Sequence, residues 1–292
     1  MSGTEWVARR PAPALRSLID SYIGYRIAGR PGLHRGLPSR HLTLIVGIGE
    51  PIDVVAQTNP RQAPDRYRFV AGGLQNRPAL IATPARQEGV AVELTPLGSR
   101  AVLGVPAAEL WDISVEAADV LGPAAFELWE RLHHASGWAE RFAACDDVFG
   151  RLVARMAAPA PAPEVTGAWG LLVGSGGTLG VAELADRVGW SRRHLAARFT
   201  SEFGLAPKPA ARVVRFERAT ALLRSPRSPL KGPLGPRRPA LAEVAAACGY
   251  YDQPHLNRDF VELAGCPPGE WLADELPSVQ DAGGAEPARS TP

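Results

Sequence analysis

Only three cysteines, Cys145, Cys248 and Cys266, occur in the 292 residues. They are far apart and odd in number, which argues against a disulfide framework and a zinc knuckle. No apolar run approaches the roughly 18 residues needed to cross a bilayer, so no membrane is expected as a partner. The opening segment, MSGTEWVARRPAPALRSLID, lacks the apolar core and small-residue cleavage site of a signal peptide. The expected location is therefore the cytoplasm. A large excess of charge is missing too: the formal net charge is +2, with 21% charged and 46% hydrophobic residues. That is an ordinary folded composition, and the length accommodates two domains that each bury a core.

Lysine is nearly absent, with Lys208 and Lys231 the only two, so almost every cation is an arginine. Their placement is uneven. Between Arg187 and Arg238 the only acidic residues are Glu202 and Glu217, against more than a dozen Arg and Lys. A one-sign stretch of that size reads either as a phosphate-facing surface or as a solvated helix face.

Short runs with strand character, among them YIGYRI, HLTLIVGI, IDVVAQ, ALIATP and GVAVELTP, fill residues 22 to about 103. Gly, Pro, Asn and Asp punctuate them, as in a compact β domain. Within GVAVELT, Val90, Val92 and Leu94 alternate with Ala91, Glu93 and Thr95, the period of a half-buried strand. From Pro106 to Met156 the pattern becomes helical. The expected divisions are a β-rich sensor or dimerisation domain over 1–158, a Pro/Ala linker over 159–164, a helical domain over 165–276 and a disordered tail over 277–292.

The strongest signal is a repeat. Set 181-VAELADRVGWSRRHLAARFTSEFGLAP-207 beside 241-LAEVAAACGYYDQPHLNRDFVELAGCPP-268. Adding sixty aligns Val181, Leu184, Ala185, Val188 and Gly189 with Leu241, Val244, Ala245, Cys248 and Gly249. One extra residue in the second turn makes the offset sixty-one from there, pairing Ser191, His194, Leu195, Phe199, Gly204 and Pro207 with Asp252, His255, Leu256, Phe260, Gly265 and Pro268. Each copy reads as an amphipathic helix, a glycine that permits a left-handed turn, and a second helix capped by Ser191 or Asp252. That is a helix-turn-helix unit, occurring twice.

At 100° per residue, Leu256, Phe260 and Leu263 share the core face of the last helix, while Pro254, Asn257, Arg258 and Val261 lie opposite with Gln253 at the edge. In the first copy Arg193, Ala196, Ala197 and Thr200 face outward and Arg192 flanks them. Arg suits the paired acceptors of guanine, and Asn or Gln suits adenine. Between the units, 208-KPAARVVRFERATALLR-224 reads as one helix studded with Arg212, Arg215, Arg218 and Arg224.

With SRRHLAARFTSEFGLAPK, ARVVRFERA, LAEVAAACGYYDQPHLNRDF and AGCPPGEW, the C-terminal half resembles the AraC/XylS-type transcriptional regulators. HRGLPSRHLTLIVGIG, RFVAGG and ARQEGVAVELTPLG resemble, less specifically, the sensor half of a subgroup. The resemblance implies an α+β chain: a β-rich N-terminal domain (a cupin-like barrel plus helices) and an all-α double helix-turn-helix domain. It implies sequence-specific binding of double-stranded DNA, with Arg192, Arg193, Ala196, Ala197 and Thr200 on the first recognition helix and Gln253, Pro254, Asn257 and Arg258 on the second. A small-molecule effector, RNA polymerase and a second copy of the chain are the other partners such a protein would have. Two departures stand out. Ala196 and Ala197 occupy places where the family commonly offers long polar groups, so the second helix is expected to carry more of the discrimination. The segment 225-SPRSPLKGPLGPRRP-239 is longer than the family's usual link, and reads as a solvated loop or a phosphate grip through Arg227, Lys231, Arg237 and Arg238.

Other chemistries are weakly supported. His133 and His134 are adjacent and cannot share a helix face; His34, His41 and Glu50 lack the His-x-His pattern of metal-binding cupins; no metal or other cofactor is expected. Cys145 alone cannot form the clustered-cysteine site of alkyl-transfer repair proteins. His194 and His255 project sideways, as packing and capping residues or as DNA-backbone contacts. Trp190, Tyr250, Tyr251 and Trp271 read as core or turn packing. The rival class is a small-molecule-binding protein or enzyme with a helical scaffold; it needs a catalytic constellation in the N-terminal half, and none is visible, so no enzymatic activity is expected.

Overall fold

The computed structural model describes residues 4–155, 159–225 and 239–280. Ten strands come first: β1 Glu5–Arg9, β2 Ile19–Ala28, β3 Gly32–Gly36, β4 Leu42–Gly47, β5 Ile52–Ala56, β6 Asp65–Tyr67, β7 Phe69–Gly72, β8 Ala79–Thr83, β9 Arg86–Leu94 and β10 Ser114–Glu116. They form two antiparallel sheets, ordered β1-β2-β9-β4-β7-β10 and β3-β8-β5-β6. The alternation in the sequence becomes a cross-strand pattern: Leu42, Leu44 and Val46 of β4 stand opposite Leu94, Val92 and Val90 of β9, and all six are fully buried. The other face of the large sheet meets the small sheet through Ile45, Ile52, Val54, Tyr67, Val70, Ala79 and Ile81.

Helices α1 Gly98–Leu103, α2 Ala118–Leu121, α3 Pro123–His134 and α4 Trp138–Arg155 follow, α1 and α2 flanking β10 in sequence. Leu128 and Leu132 of α3, with Phe142, Cys145, Val148 and Phe149 of α4, join the apolar face of the large sheet in one core. Tyr22 of β2 stacks on Phe142 and Phe149 at 6.0 and 6.4 Å and donates its hydroxyl to Asp146 at 3.1 Å, so its polar tip is satisfied. All three cysteines are buried and free, and burial pushes the Cys145 thiol far up from its ordinary value.

Seven helices complete the described chain: α5 Pro163–Gly174, α6 Val181–Arg187, α7 Arg192–Phe203, α8 Pro207–Arg224, α9 Leu241–Ala247, α10 Gln253–Ala264 and α11 Pro268–Gln280. The last of these runs four residues into the stretch expected as a tail, and residues 281–292 lie outside the described residues. So do 226–238, nearly all of the Pro/Arg-rich insertion. The core around Trp169, Phe199 and Phe203 is continuous with that of the β domain. A separate cluster, built on Phe216, Leu256, Phe260, Leu263 and Trp271, belongs to the second half of the helical domain.

Gly204 ends α7 at φ 81° and its N–H closes the helix on the Thr200 carbonyl at 2.8 Å. A Cβ there would lie 2.4 Å from the Cβ of Trp111, whereas one at Gly189 (φ 73°) would meet nothing within 4 Å. Gly189→Ala is expected to cost only the left-handed backbone penalty of about 1–2 kcal/mol. Gly204→Ala is expected to cost distinctly more, because Trp111 or the helix end must move. Chemical denaturation of both variants checks the order, and equal losses would show that Trp111 yields freely.

Candidate nucleic-acid interface

The repeat is reproduced bond for bond. In the first unit, α6–turn–α7, Gly189 N–H reaches Asp186 O at 3.1 Å and Trp190 N–H reaches Ala185 O at 3.0 Å. In the second, α9–turn–α10, Gly249 N–H reaches Ala246 O at 3.2 Å and Tyr250 N–H reaches Ala245 O at 2.9 Å. These bonds retire carbonyls that would otherwise be orphaned at the helix end. The second helix of each unit is then capped: Ser191 Oγ accepts from His194 N–H at 3.2 Å, and Asp252 Oδ1 from His255 N–H at 2.7 Å. The extra residue of the second turn is Tyr251. It is 93% exposed, not packed in the turn as the sequence suggested, while Tyr250 is buried. The one-residue offset between the copies was the signal that a side chain is extruded there.

Apolar contacts hold α7 and α10 from behind. Phe199 and Phe203 of α7 pack on Trp169 at 5.8 and 4.6 Å; Phe260 of α10 packs on Phe216 at 4.9 Å and on Trp271 at 5.6 Å. On the outer face of α7, Arg192, Arg193, Ala197 and Thr200 are exposed and Ala196 is half-buried. On α10, Pro254, Arg258 and Val261 are exposed and Gln253 is half-buried. Asn257 is half-buried too, with its Oδ1 enclosed and lacking a hydrogen-bond partner. His194 lies edge-on to Trp190 at 4.5 Å; His255 accepts the Tyr251 N–H through Nδ1 at 3.4 Å. Among the described residues no acidic group pairs with Arg192, Arg193 or Arg258, which leaves these cations to an external anion or base.

The connecting helix departs from the sequence reading. Arg212 donates to Asp259 at 2.7 Å and to Glu262 at 2.5 Å, both on α10. Arg215 donates to the Gly177 carbonyl at 2.7 Å, with its guanidinium 5.7 Å from the Tyr250 ring centre. Two arginines of a stretch that read either as a phosphate-facing surface or as a solvated helix face are thus internal ties of the connecting helix. Arg212 thereby partly offsets the charge of Glu262, whose side chain stays exposed on α10.

The two acidic residues of the basic stretch have equally definite roles. Glu202, 8% exposed on α7, receives Nε and Nη2 of Arg100, each at 2.8 Å. Glu217 on α8 accepts the Arg40 guanidinium at 3.2 Å and the Arg40 backbone N–H at 3.0 Å. Arg35 of β3 also pairs with Asp274 of α11. All three arginines belong to the β domain and all three carboxylates to the helical one. Beside Arg40, the buried His41 places Nε2 3.1 Å from Asp20 Oδ2. Asp20, His41 and Glu93 bring one ligand-type atom each within 4.8 Å of one another, a grouping missed by the comparison of His34, His41 and Glu50. Arg40 Nη2 already sits 3.0 Å from Asp20 Oδ2, and Ser21 donates to Glu93 at 2.6 Å, so the carboxylates are engaged within the protein. Partial burial pushes the Asp20 carboxyl upward, but its bonds with Arg40 and the charges of His41 and Arg40 outweigh that and hold it below the usual carboxylate value.

Two capped helix-turn-helix units, each with an exposed arginine on its outward face, define the class: a helix-turn-helix protein. Residues 184–274 match the family described as "Helix-turn-helix domain". Over the whole length the fold is similar to that of ToxT from Vibrio cholerae O395, at 11% identity, covering 97% of this chain and 99% of that one, with a TM-score of 0.50. An apo ToxT variant from Vibrio cholerae strain SCE256 is similar at 9% identity over 94% of this chain and 98% of that one, also at 0.50. The DNA-binding domain of AdpA, solved in complex with a target DNA, shares 29% identity over 39% of this chain and 91% of that one, with a TM-score of 0.32. No curated protein sequence matches the chain.

Removing Arg100 leaves a buried carboxylate without its partner, a loss on the order of 3 kcal/mol. Arg100→Ala is expected to lower stability by about that much, and Glu202→Gln in the same chain to restore a large part of it. A double-mutant cycle in urea measures both; strictly additive losses would show that the pair does not couple the domains.

Proposed function

We propose that this chain is a sequence-specific DNA-binding transcriptional regulator whose helices α7 and α10 enter adjacent major-groove segments. The observation that carries this reading is the pair of matched outer faces, each on a capped helix braced by its own aromatic core, each with exposed arginine unpaired. In this reading Arg193, Ala196, Ala197 and Thr200 line the first groove segment with Arg192 at the phosphates. Gln253, Pro254, Asn257 and Arg258 line the second. Arg258 is the principal base reader, because it has reach and exposure while the Asn257 amide is partly enclosed. Residues 165–276 form the DNA-binding region and 1–158 the sensor or dimerisation region.

An effector site on the β domain is supported by a cavity of about 80 Å³ between the sheets. Its wall is mostly apolar (Ile45, Ile52, Val54, Val70), with His41, Gln75 and Ser114 as polar contacts. That mixture suits a small, largely apolar molecule with one polar end. RNA polymerase and a second copy of the chain complete the proposed partners. We assign the chain no catalytic step. No described helix is long and apolar enough to cross a membrane.

Two measurements test the reading on the full chain. Affinity for a selected duplex is expected to fall steeply with salt, by about 0.9 in log–log slope for each phosphate neutralised; a flat response between low and moderate salt would reject the groove-facing assignment. Selection from a randomised library is then expected to show Arg258→Ala losing base preference at one or two positions, at about 1–3 kcal/mol each. A motif superimposable on wild type, only weaker, would reduce Arg258 to a backbone contact.

A further inference from the structure

Val261 is the anomaly of α10. It is 50% exposed on the face that carries Arg258, and it has no partner in the protein's own core. Pro254 is exposed on the same face, one turn before Arg258. At 100° per residue, Pro254, Arg258 and Val261 fall within about 60° of one another, so one cation and two apolar groups share the outer face. Glu262, exposed about 40° further round the helix from Arg258, is paired with Arg212 at 2.5 Å. The half-buried Asn257 and Gln253 lie toward the flank. A face of this kind has little hydrogen-bonding capacity beyond its arginine.

In the major groove one base feature is apolar and protruding, the C5-methyl group of thymine. We infer that α10 recognises a guanine through Arg258 together with thymine methyl groups through Val261 and Pro254. The inference rests on the DNA-binding reading above and specifies its substrate: a T-containing, G-centred half-site under the second unit. Geometry limits its size. Seven residues separate Pro254 from Val261, about 10 Å of helix at 1.5 Å per residue. That spans roughly three base-pair steps of 3.4 Å, so the methyls lie within about two base pairs of the guanine. In the first unit only the methyl group of Thr200, at the place of Val261, is comparable; Arg193 stands at the place of Pro254 and Ala197 at that of Arg258.

Replacing thymine by deoxyuridine deletes the methyl group and leaves every hydrogen-bonding atom in place. A duplex carrying the selected site is therefore scanned with single thymine-to-deoxyuridine exchanges, against wild type, Val261→Ala and Pro254→Ala. Both substituted residues are solvent-exposed, and alanine is compatible with the helix at both. One or two thymines in the α10 half are expected to matter to wild type by about threefold to fivefold each, the worth of one buried methyl. The sensitivity at one of them should vanish in Val261→Ala while preference for the guanine persists. Indifference of wild type to every exchange overturns the inference, as does a selected α10 half-site without thymine, or sensitivity that survives in both variants. A chain with no base preference at all would overturn the DNA-binding reading as well, whereas a selective chain blind to the methyls overturns this inference alone.

Discussion

The arrangement of the two domains depends on carboxylates surrendered by the helical one. Glu202 and Glu217 are the only acids in its basic stretch, and each is bound by an arginine of the β domain, Arg100 or Arg40. A carboxylate as enclosed as Glu202 is tolerable only with a partner that satisfies both oxygens, and the forked guanidinium of Arg100 does so. The same contacts therefore serve two ends. They anchor the domains, and they draw negative charge to the rear while the exposed arginines Arg192, Arg193 and Arg258 are left at the front.

The two units share a backbone pattern but not a support. Unit one rests on an apolar core that continues into the β domain, with Trp111 pressed against the glycine that ends α7. Unit two has a core of its own around Phe260 and Trp271; Arg212 of the connecting helix holds α10, and Arg215 joins Tyr250 of its turn to the Gly177 carbonyl ahead of α6. A change in the β domain thus acts directly on α7, through packing and the Arg100–Glu202 pair. It acts on α10 through α8 and the Arg35–Asp274 pair. For the regulator proposed above, these contacts give an effector a route to the relative placement of α7 and α10 that touches neither outer face.

Local features were legible in the sequence. The glycine turns, the caps Ser191 and Asp252, the apolar stripes and the alternation of β9 depend on residues a few positions apart, so they survive translation into structure. Strands β1, β3 and β10 were not anticipated, because EWVAR, GLHRG and SVE are short and owe their form to a neighbouring strand. Nor were the ties of Arg212 and Arg215, since nothing in a helix's own periodicity reveals that its acid partner is 47 residues away. The grouping of Asp20, His41 and Glu93 spans β2, the start of β4 and β9, and only the sheet order brings them together.

Those long-range ties sharpen what the outer faces can do. A helix carrying many polar groups can read bases redundantly; α10 cannot, because Arg212 secures Asp259 and Glu262 and the Asn257 amide is partly enclosed. On the outer face one arginine, a proline and a valine remain exposed. On α7 the alanines at the corresponding depth leave Arg193 as the long reader. In the proposed function, two such sparse faces gain selectivity from their joint register on the duplex, because one bidentate contact supplies only about 1–3 kcal/mol. On that proposal the packing of α8 against α10 is as much a part of specificity as the residues that face the groove.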